Sequence, residues 1–178
     1  MEKYTGVKFK VIEIKNSVAN TDLERMLFID KIIKGYVKVN KNEGNFSLRM
    51  ENGFLIKKSG SRMTDLKKED VVFVKKIEDE KVYASGGTPS SESLMHNEIY
   101  NRRKDARIVL HFHEDKLLLK RFEFETNEYE YGSIEIAKEV GELIEKSWIV
   151  KIKNHGFVII ASDEKDLKEK LEKIKLRK

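Results

Sequence analysis

The sequence predicts an α/β domain built on a mostly antiparallel sheet. Strand-like runs alternate with segments of 3.6-residue apolar period. "NFSLRMENGFLIKKSG" is the clearest hairpin, because Asn52-Gly53 suits the positive-φ positions of a type I′ turn between two extended arms. The 178 residues contain no repeat, low-complexity tract or linker, which predicts one domain over residues 1–178 with room for a substantial core.

Along the chain, "KFKVIEIKNS" reads as a strand carrying Phe9, Val11 and Ile14, within a first segment of 20 residues. Thr21 or Asp22 then caps a helix to about Lys34, with Leu23, Met26, Leu27, Ile29 or Asp30, and Ile33 on its stripe and Gly35 ending it. After the hairpin, "SRMTDLKKED" forms a loop and a short helical turn leading to the strands "VVFVKK" and "KVYA". Gly86-Gly87-Thr88-Pro89 imposes a loop, and a helix follows from about Ser91 to Arg103. "ARIVLHFHE" is a strand. Ser133 caps the helix "SIEIAKEVGELIEKS", which turns Ile136, Val140, Leu143 and Ile144 inward. "WIVKIKNHGFVIIAS" is a pair of apolar strands about Asn154-His155-Gly156. The closing "SDEKDLKEKLEKIKLRK" is amphipathic through Leu167, Leu171 and Ile174, acidic first and basic last, as a helix dipole favours.

Charged residues make up 38%, against a usual ~25%. The excess is Lys and Glu, interleaved, which is the surface of a thermophile protein. A net charge of +5 helps steer an anionic ligand. The lysines are spread, with no polybasic arm and no basic-aromatic signature, so no nucleic-acid partner is expected. No apolar run approaches the ~18 residues of a membrane span, and no membrane partner is expected either. The lack of cysteine excludes disulfides and thiolate ligands. The expected location is cytoplasmic.

All four histidines fall in two short stretches: His96, His111 and His113 in "SSESLMHNEIYNRRKDARIVLHFHED", and His155 in "KNHGF". Strand alternation puts His111 and His113 on one face and Ile108, Leu110 and Phe112 on the other. With His155 as a third imidazole they would make a metal site with an open position. Their ordinary structural reading is two histidines on a wet strand face and one at a surface turn.

Ser90 and Ser91 stand at the expected helix start, where unpaired N–H groups attract an anion such as phosphate. The same serines serve equally as plain caps, and Glu92 as an acid favoured by the dipole. His96, one turn further on the face of Glu92, reads as a structural or supporting group. Gly44-Asn45 and Ser59-Gly60 lie at the two ends of the hairpin, where they would converge on a phosphate; alone, each is ordinary turn chemistry.

Read together, "EGNFSLR…GFLIKKSG…LKKEDVVFV…TPSSESLMH…YNRRKDARIVLHFH…YGSIEIAKEV…NHGFVII" resembles the class II aldolase/adducin family, above all its fuculose-1-phosphate aldolase branch. The match is colinear from about Leu23 to Ser162. The resemblance implies a three-layer α/β/α sandwich with a mainly antiparallel central sheet. It implies one zinc ion per subunit on His111, His113 and His155, and Glu92 as the catalytic acid/base and a fourth metal contact before substrate arrives. Asn45, Ser59, Gly60, Ser90 and Ser91 take the positions that hold the phosphate of a small sugar substrate. Family members are commonly tetramers, so a homo-oligomer is expected.

Within the family, Glu after the paired serines is typical of aldolases and of sugar-phosphate dehydratases, while the ribulose-phosphate 4-epimerases have Asp. Glu92 therefore argues against an epimerase and does not separate aldolase from dehydratase; the resemblance as a whole implies a zinc-dependent aldolase that splits a ketose 1-phosphate into dihydroxyacetone phosphate and an aldehyde. The alternatives are a dehydratase of the methylthioribulose-1-phosphate type and a non-catalytic adducin-like module; the latter tends to lose the metal ligands kept here. Two departures stand out. "EDKLLLKRFEFETNEYEYG" is too short for the helix relatives carry there, and only one helix follows the His155 hairpin, where relatives continue and often supply a tyrosine. Tyr129 and Tyr131 are the nearby substitutes, and half-buried packing is their ordinary reading.

Overall fold

The computed structural model describes residues 8–40 and 42–175. The parts of the expected first segment and last helix at 1–7 and 176–178 lie outside them. Among the described residues eight strands form one sheet in the order β1-β5-β4-β3-β2-β6-β8-β7. They are β1 (Lys10–Glu13), β2 (Asn45–Met50), β3 (Gly53–Lys57), β4 (Val71–Glu78), β5 (Lys81–Ser85), β6 (Ile108–Phe112), β7 (Ile149–Ile152) and β8 (Gly156–Ala161). Only β1 with β5 is parallel; the other neighbours are antiparallel. The helices are α1 (Asn20–Lys34), α2 (Ser93–Arg102), α3 (Asp115–Leu118), α4 (Ile134–Ile144) and α5 (Glu164–Lys175).

Strand alternation sorts the core to both faces of the sheet. Ile108, Leu110 and Phe112 of β6 pack with Met26, Ile29 and Ile33 of α1 and Leu167, Leu171 and Ile174 of α5. Val109, on the other face, packs with Met95 and Ile99 of α2 and Ile136, Val140 and Ile144 of α4. The strands β6, β7 and β8 are buried at every position, whereas β1, β5 and the end of β4 keep exposed ones. The hairpin forms as expected, but not through a type I′ turn at Asn52-Gly53: Glu51 and Asn52 make the two-residue loop, Gly53 already pairs with Met50, and of Asn52 and Gly53 only the glycine takes a positive φ. A Cβ at Gly53 (φ +114°) would run into the Val74 carbonyl oxygen, beside the bulge that interrupts β4 pairing at Lys75.

Two helix starts differ from expectation. The first helix is not capped by Thr21 or Asp22 but opens at Asn20 behind an extended Ala19, whose carbonyl accepts the Asp22 and Leu23 N–H groups. The second begins at Ser93, so Ser90 and Ser91 occupy the turn before it and Glu92 is its N-cap. The segment after β6 keeps one helical turn, α3, and then runs irregularly until it meets β7 in a Glu125–Lys151 bridge.

Candidate active site

The imidazoles gather at one end of the sheet. His111 is the fourth residue of β6, His113 follows the strand's end, and His155 sits in the β7–β8 turn, where Asn154 takes φ +57°. Antiparallel pairing sets Phe112 opposite Phe157, which brings the turn alongside both histidines. The His155 ring stacks on His111 at 5.0 Å between centroids and meets His113 edge-on at 4.7 Å. Gly156 makes this possible. A Cβ there would lie 2.7 Å from the Phe112 carbonyl oxygen and 3.0 Å from both the His111 and His113 rings.

The donor set fits a single cation. Each of His111, His113 and His155 offers one ligand atom, all within 4.8 Å of one another. His111 Nδ1 lies 3.1 Å from the Phe157 carbonyl oxygen. A carbonyl only accepts, so Nδ1 carries the hydrogen and the Nε2 lone pair faces inward, 3.0 Å from His113 Nε2. Burial lowers His111 well below the ordinary histidine range and lowers His113 too, against the attraction of the Glu92 carboxylate.

Glu92 closes the site. Its Oε2 lies 3.4 Å from His111 Nε2 and its Oε1 3.5 Å from His155 Nε2. Asn45 begins β2 directly across from His111 and donates from Nδ2 to Glu92 Oε2 at 2.5 Å. Burial acts to raise the Glu92 carboxyl, but His111, then His155 and the Asn45 amide, outweigh it and hold it below the usual carboxylate range. The arrangement joins a cation site to an ionised carboxylate that can carry a proton.

The remaining sequence-selected residues line the adjoining loops. The Ser59 N–H donates to the Thr88 carbonyl at 2.9 Å and the Ser90 N–H to the Lys57 carbonyl at 3.0 Å, with a bridge between Lys58 and Pro89. The Ser59-Gly60 turn therefore lies beside Ser90-Ser91. Gly60 has φ +80° and open space at its Cβ position. Ser90 and Ser91 are buried; Ser90 Oγ accepts the Glu92 N–H, while Ser91 Oγ meets the Tyr131 hydroxyl at 2.6 Å. Asn45 reaches Glu92, a contact that sequence order does not reveal.

Sequence reasoning passed over two further groups. Lys57, 3% exposed, points away from the imidazoles and donates to the carbonyls of Ser61 (2.5 Å) and Asn42 (3.4 Å), tying together the turns that carry Ser59-Gly60 and Gly44-Asn45. A lysine inside the apolar run "FLIK" is the signal that marks it. Ser47, two residues after Asn45 and so on the same strand face, bonds His96. Tyr129 packs half-buried against the α2–α4 cluster as expected. Tyr131 instead enters the site, its ring 5.2 Å from that of His155.

An α/β domain whose antiparallel sheet brings three imidazoles and a carboxylate to one end has the architecture of the class II aldolases. The chain belongs to that family: residues 31–122 match the model of the Class II Aldolase and Adducin N-terminal domain. It is 29% identical over 161 residues, 80% of its length, to an L-fuculose phosphate aldolase of Methanococcus maripaludis, covering 86% of that protein. Over 70 residues, 39% of this chain and 30% of the other, it is 39% identical to a 5-methylthioribulose-1-phosphate/5-deoxyribulose-1-phosphate aldolase of Rhodospirillum rubrum. A solved L-fuculose 1-phosphate aldolase superposes with a TM-score of 0.71 at 21% identity, over 89% of this chain and 84% of that one. Among the described residues no helix is long and apolar enough to cross a membrane.

Proposed function

We propose that this chain, an α/β/α sandwich, is a zinc-dependent aldolase of a small ketose 1-phosphate. The products are dihydroxyacetone phosphate and an aldehyde. The observation that carries the reading is the convergence of three imidazole donors within 4.8 Å, two of them faced by Glu92 at 3.4 and 3.5 Å. His111, His113 and His155 would hold the ion. When bound, a divalent cation there supplies Lewis-acid polarisation of the substrate carbonyl oxygen.

Everything else falls to the chain. Glu92, ionised and braced by Asn45, takes the proton from the carbon beside the carbonyl during condensation and returns it there after cleavage. The Ser59-Gly60 and Ser90-Ser91 loops, with Asn45, bind the phosphate and place that carbon against Glu92. Tyr131 forms a wall between the phosphate end and the imidazoles. No lysine imine is required. A homo-oligomer, by family habit a tetramer, and a cytoplasmic location complete the reading.

The test is to incubate metal-analysed protein with dihydroxyacetone phosphate and lactaldehyde, with and without a chelator. Condensation product that disappears with chelator and returns with zinc supports the aldolase. No product despite a full zinc complement overturns it in favour of sugar-phosphate dehydration.

A further inference from the structure

Two side chains of β2 meet two of α2. Asn45 and Ser47 share a strand face, ~6.7 Å apart along the strand. Glu92 and His96 lie one helical turn apart, ~6 Å along the axis. The matched spacings give two parallel rungs: Asn45 Nδ2 on Glu92 Oε2, and Ser47 Oγ on His96 Nδ1 at 2.6 Å. All four residues are buried, Ser47 and His96 completely.

The second rung has a fixed direction. The Tyr100 hydroxyl lies 3.3 Å from the Arg107 carbonyl oxygen, which can only accept, so its one proton goes there. Ser47 Oγ, 2.8 Å away, then donates to the Tyr100 oxygen in the pattern that keeps all three contacts as hydrogen bonds. With that proton committed, Ser47 accepts from His96 Nδ1–H. His96 is thereby the Nδ1–H tautomer with a bare lone pair on Nε2. Burial, which lowers it to about 4, keeps it neutral.

The first rung also ends in a bare acceptor. Asn45 can bond a carboxylate only through its NH₂, which leaves Oδ1 facing away. Among the described residues neither His96 Nε2 nor Asn45 Oδ1 has a hydrogen-bond partner. Buried acceptors without donors are costly, so a donor from outside the chain is called for. A water molecule has two O–H donors and is the smallest group that serves both.

We propose that His96 is a positioning residue of this site, its Nε2 and Asn45 Oδ1 sharing one buried water that keeps the Asn45 NH₂ turned to Glu92. The water held by His96 then fixes the Asn45 amide, and the amide braces the carboxylate facing the imidazole cluster. This rests on Glu92 being the acid/base group of the proposed reaction.

The test combines ¹⁵N-histidine NMR of the zinc-loaded protein with kinetics. His96, identified by the signal lost in His96→Gln, is expected to show a protonated Nδ1 and a bare Nε2. Ser47→Ala is expected to release that tautomer and to shift the Asn45 side-chain amide resonance. His96→Phe should lower kcat at least ~10-fold, about 1.4 kcal/mol, with KM within ~2-fold and zinc content unchanged; His96→Gln, which restores a polar partner, should recover part of the loss. An Nε2–H tautomer in the wild type, or an Asn45 resonance indifferent to Ser47→Ala, overturns the inference. So does unchanged kcat in His96→Phe. If His96→Phe fails to fold, Ser47→Ala and the wild-type spectra still decide. If the protein proves to be no aldolase, the tautomer and the Asn45 amide are read without turnover, so the two failures are told apart.

Discussion

The Tyr131 hydroxyl lies 2.6 Å from Ser91 Oγ while its ring tilts against His155 at 5.2 Å between centroids. One side chain thus spans from the paired-serine turn to the imidazole cluster. It comes from the segment between α3 and α4.

Removing that hydroxyl tests the span. Tyr131→Phe keeps the ring and loses a hydrogen bond worth ~1 kcal/mol, so KM for the sugar phosphate should rise about 5-fold with zinc content unchanged. Tyr131→Ala, which also strips the ring from His155, should cost more, in kcat as well. Steady-state kinetics beside metal analysis separate the two effects.

Glu92→Gln keeps the size of the side chain and removes its basicity. The expected loss in kcat is ~10²–10⁴-fold, the usual range for a positioned acid/base group, with zinc still bound. Exchange of the dihydroxyacetone phosphate carbon-bound proton with heavy water should stop in the same variant. Persisting exchange would move the proton transfer elsewhere.

Gly156→Ala is a metal-site mutation at a residue that ligates nothing. Its Cβ would press on the Phe112 carbonyl and on two of the three imidazoles at 2.7–3.0 Å. Zinc affinity should fall by at least ~10-fold, a smaller loss than that of His113→Ala. Competition with a chelating dye measures both. Zinc should also raise the melting temperature of the wild type more than that of either variant, because it binds the folded state.

Lys57 makes stability depend on pH. Burial lowers its ammonium from 10.5 to about 8, against the attraction of Glu92, Asp70 and Asp30. Between those values the unfolded chain binds more protons than the folded one, so stability should rise with pH across that window. The full difference corresponds to ~3 kcal/mol. Denaturant melts of wild type and Lys57→Met at about pH 7.5 and 10 check it: this contribution should vanish in the variant.

The elements were readable because each depends on neighbours in sequence. Alternation placed His111 and His113 on one face, Asn52-Gly53 announced its hairpin, and apolar period drew α4 and α5. Helix starts were less readable. An extended Ala19 can open a helix with its carbonyl alone, and Ser90-Ser91 lie in a turn before α2 begins, with the Ser90 N–H taken by the Lys57 carbonyl at the end of β3.

By itself, the sequence determined the strand and helix set, the α/β class and the residues around which a family resemblance could be drawn. Those are matters of residue type and local period. Only the tertiary structure decided that Asn45 braces Glu92, that Tyr131 leaves ordinary packing for the site, and that Lys57 ties two turns together from the opposite face. Each of those contacts joins residues 4 to 47 positions apart or crosses between elements, and hydrogen-bond direction depends on which atoms the folded sheet brings within reach.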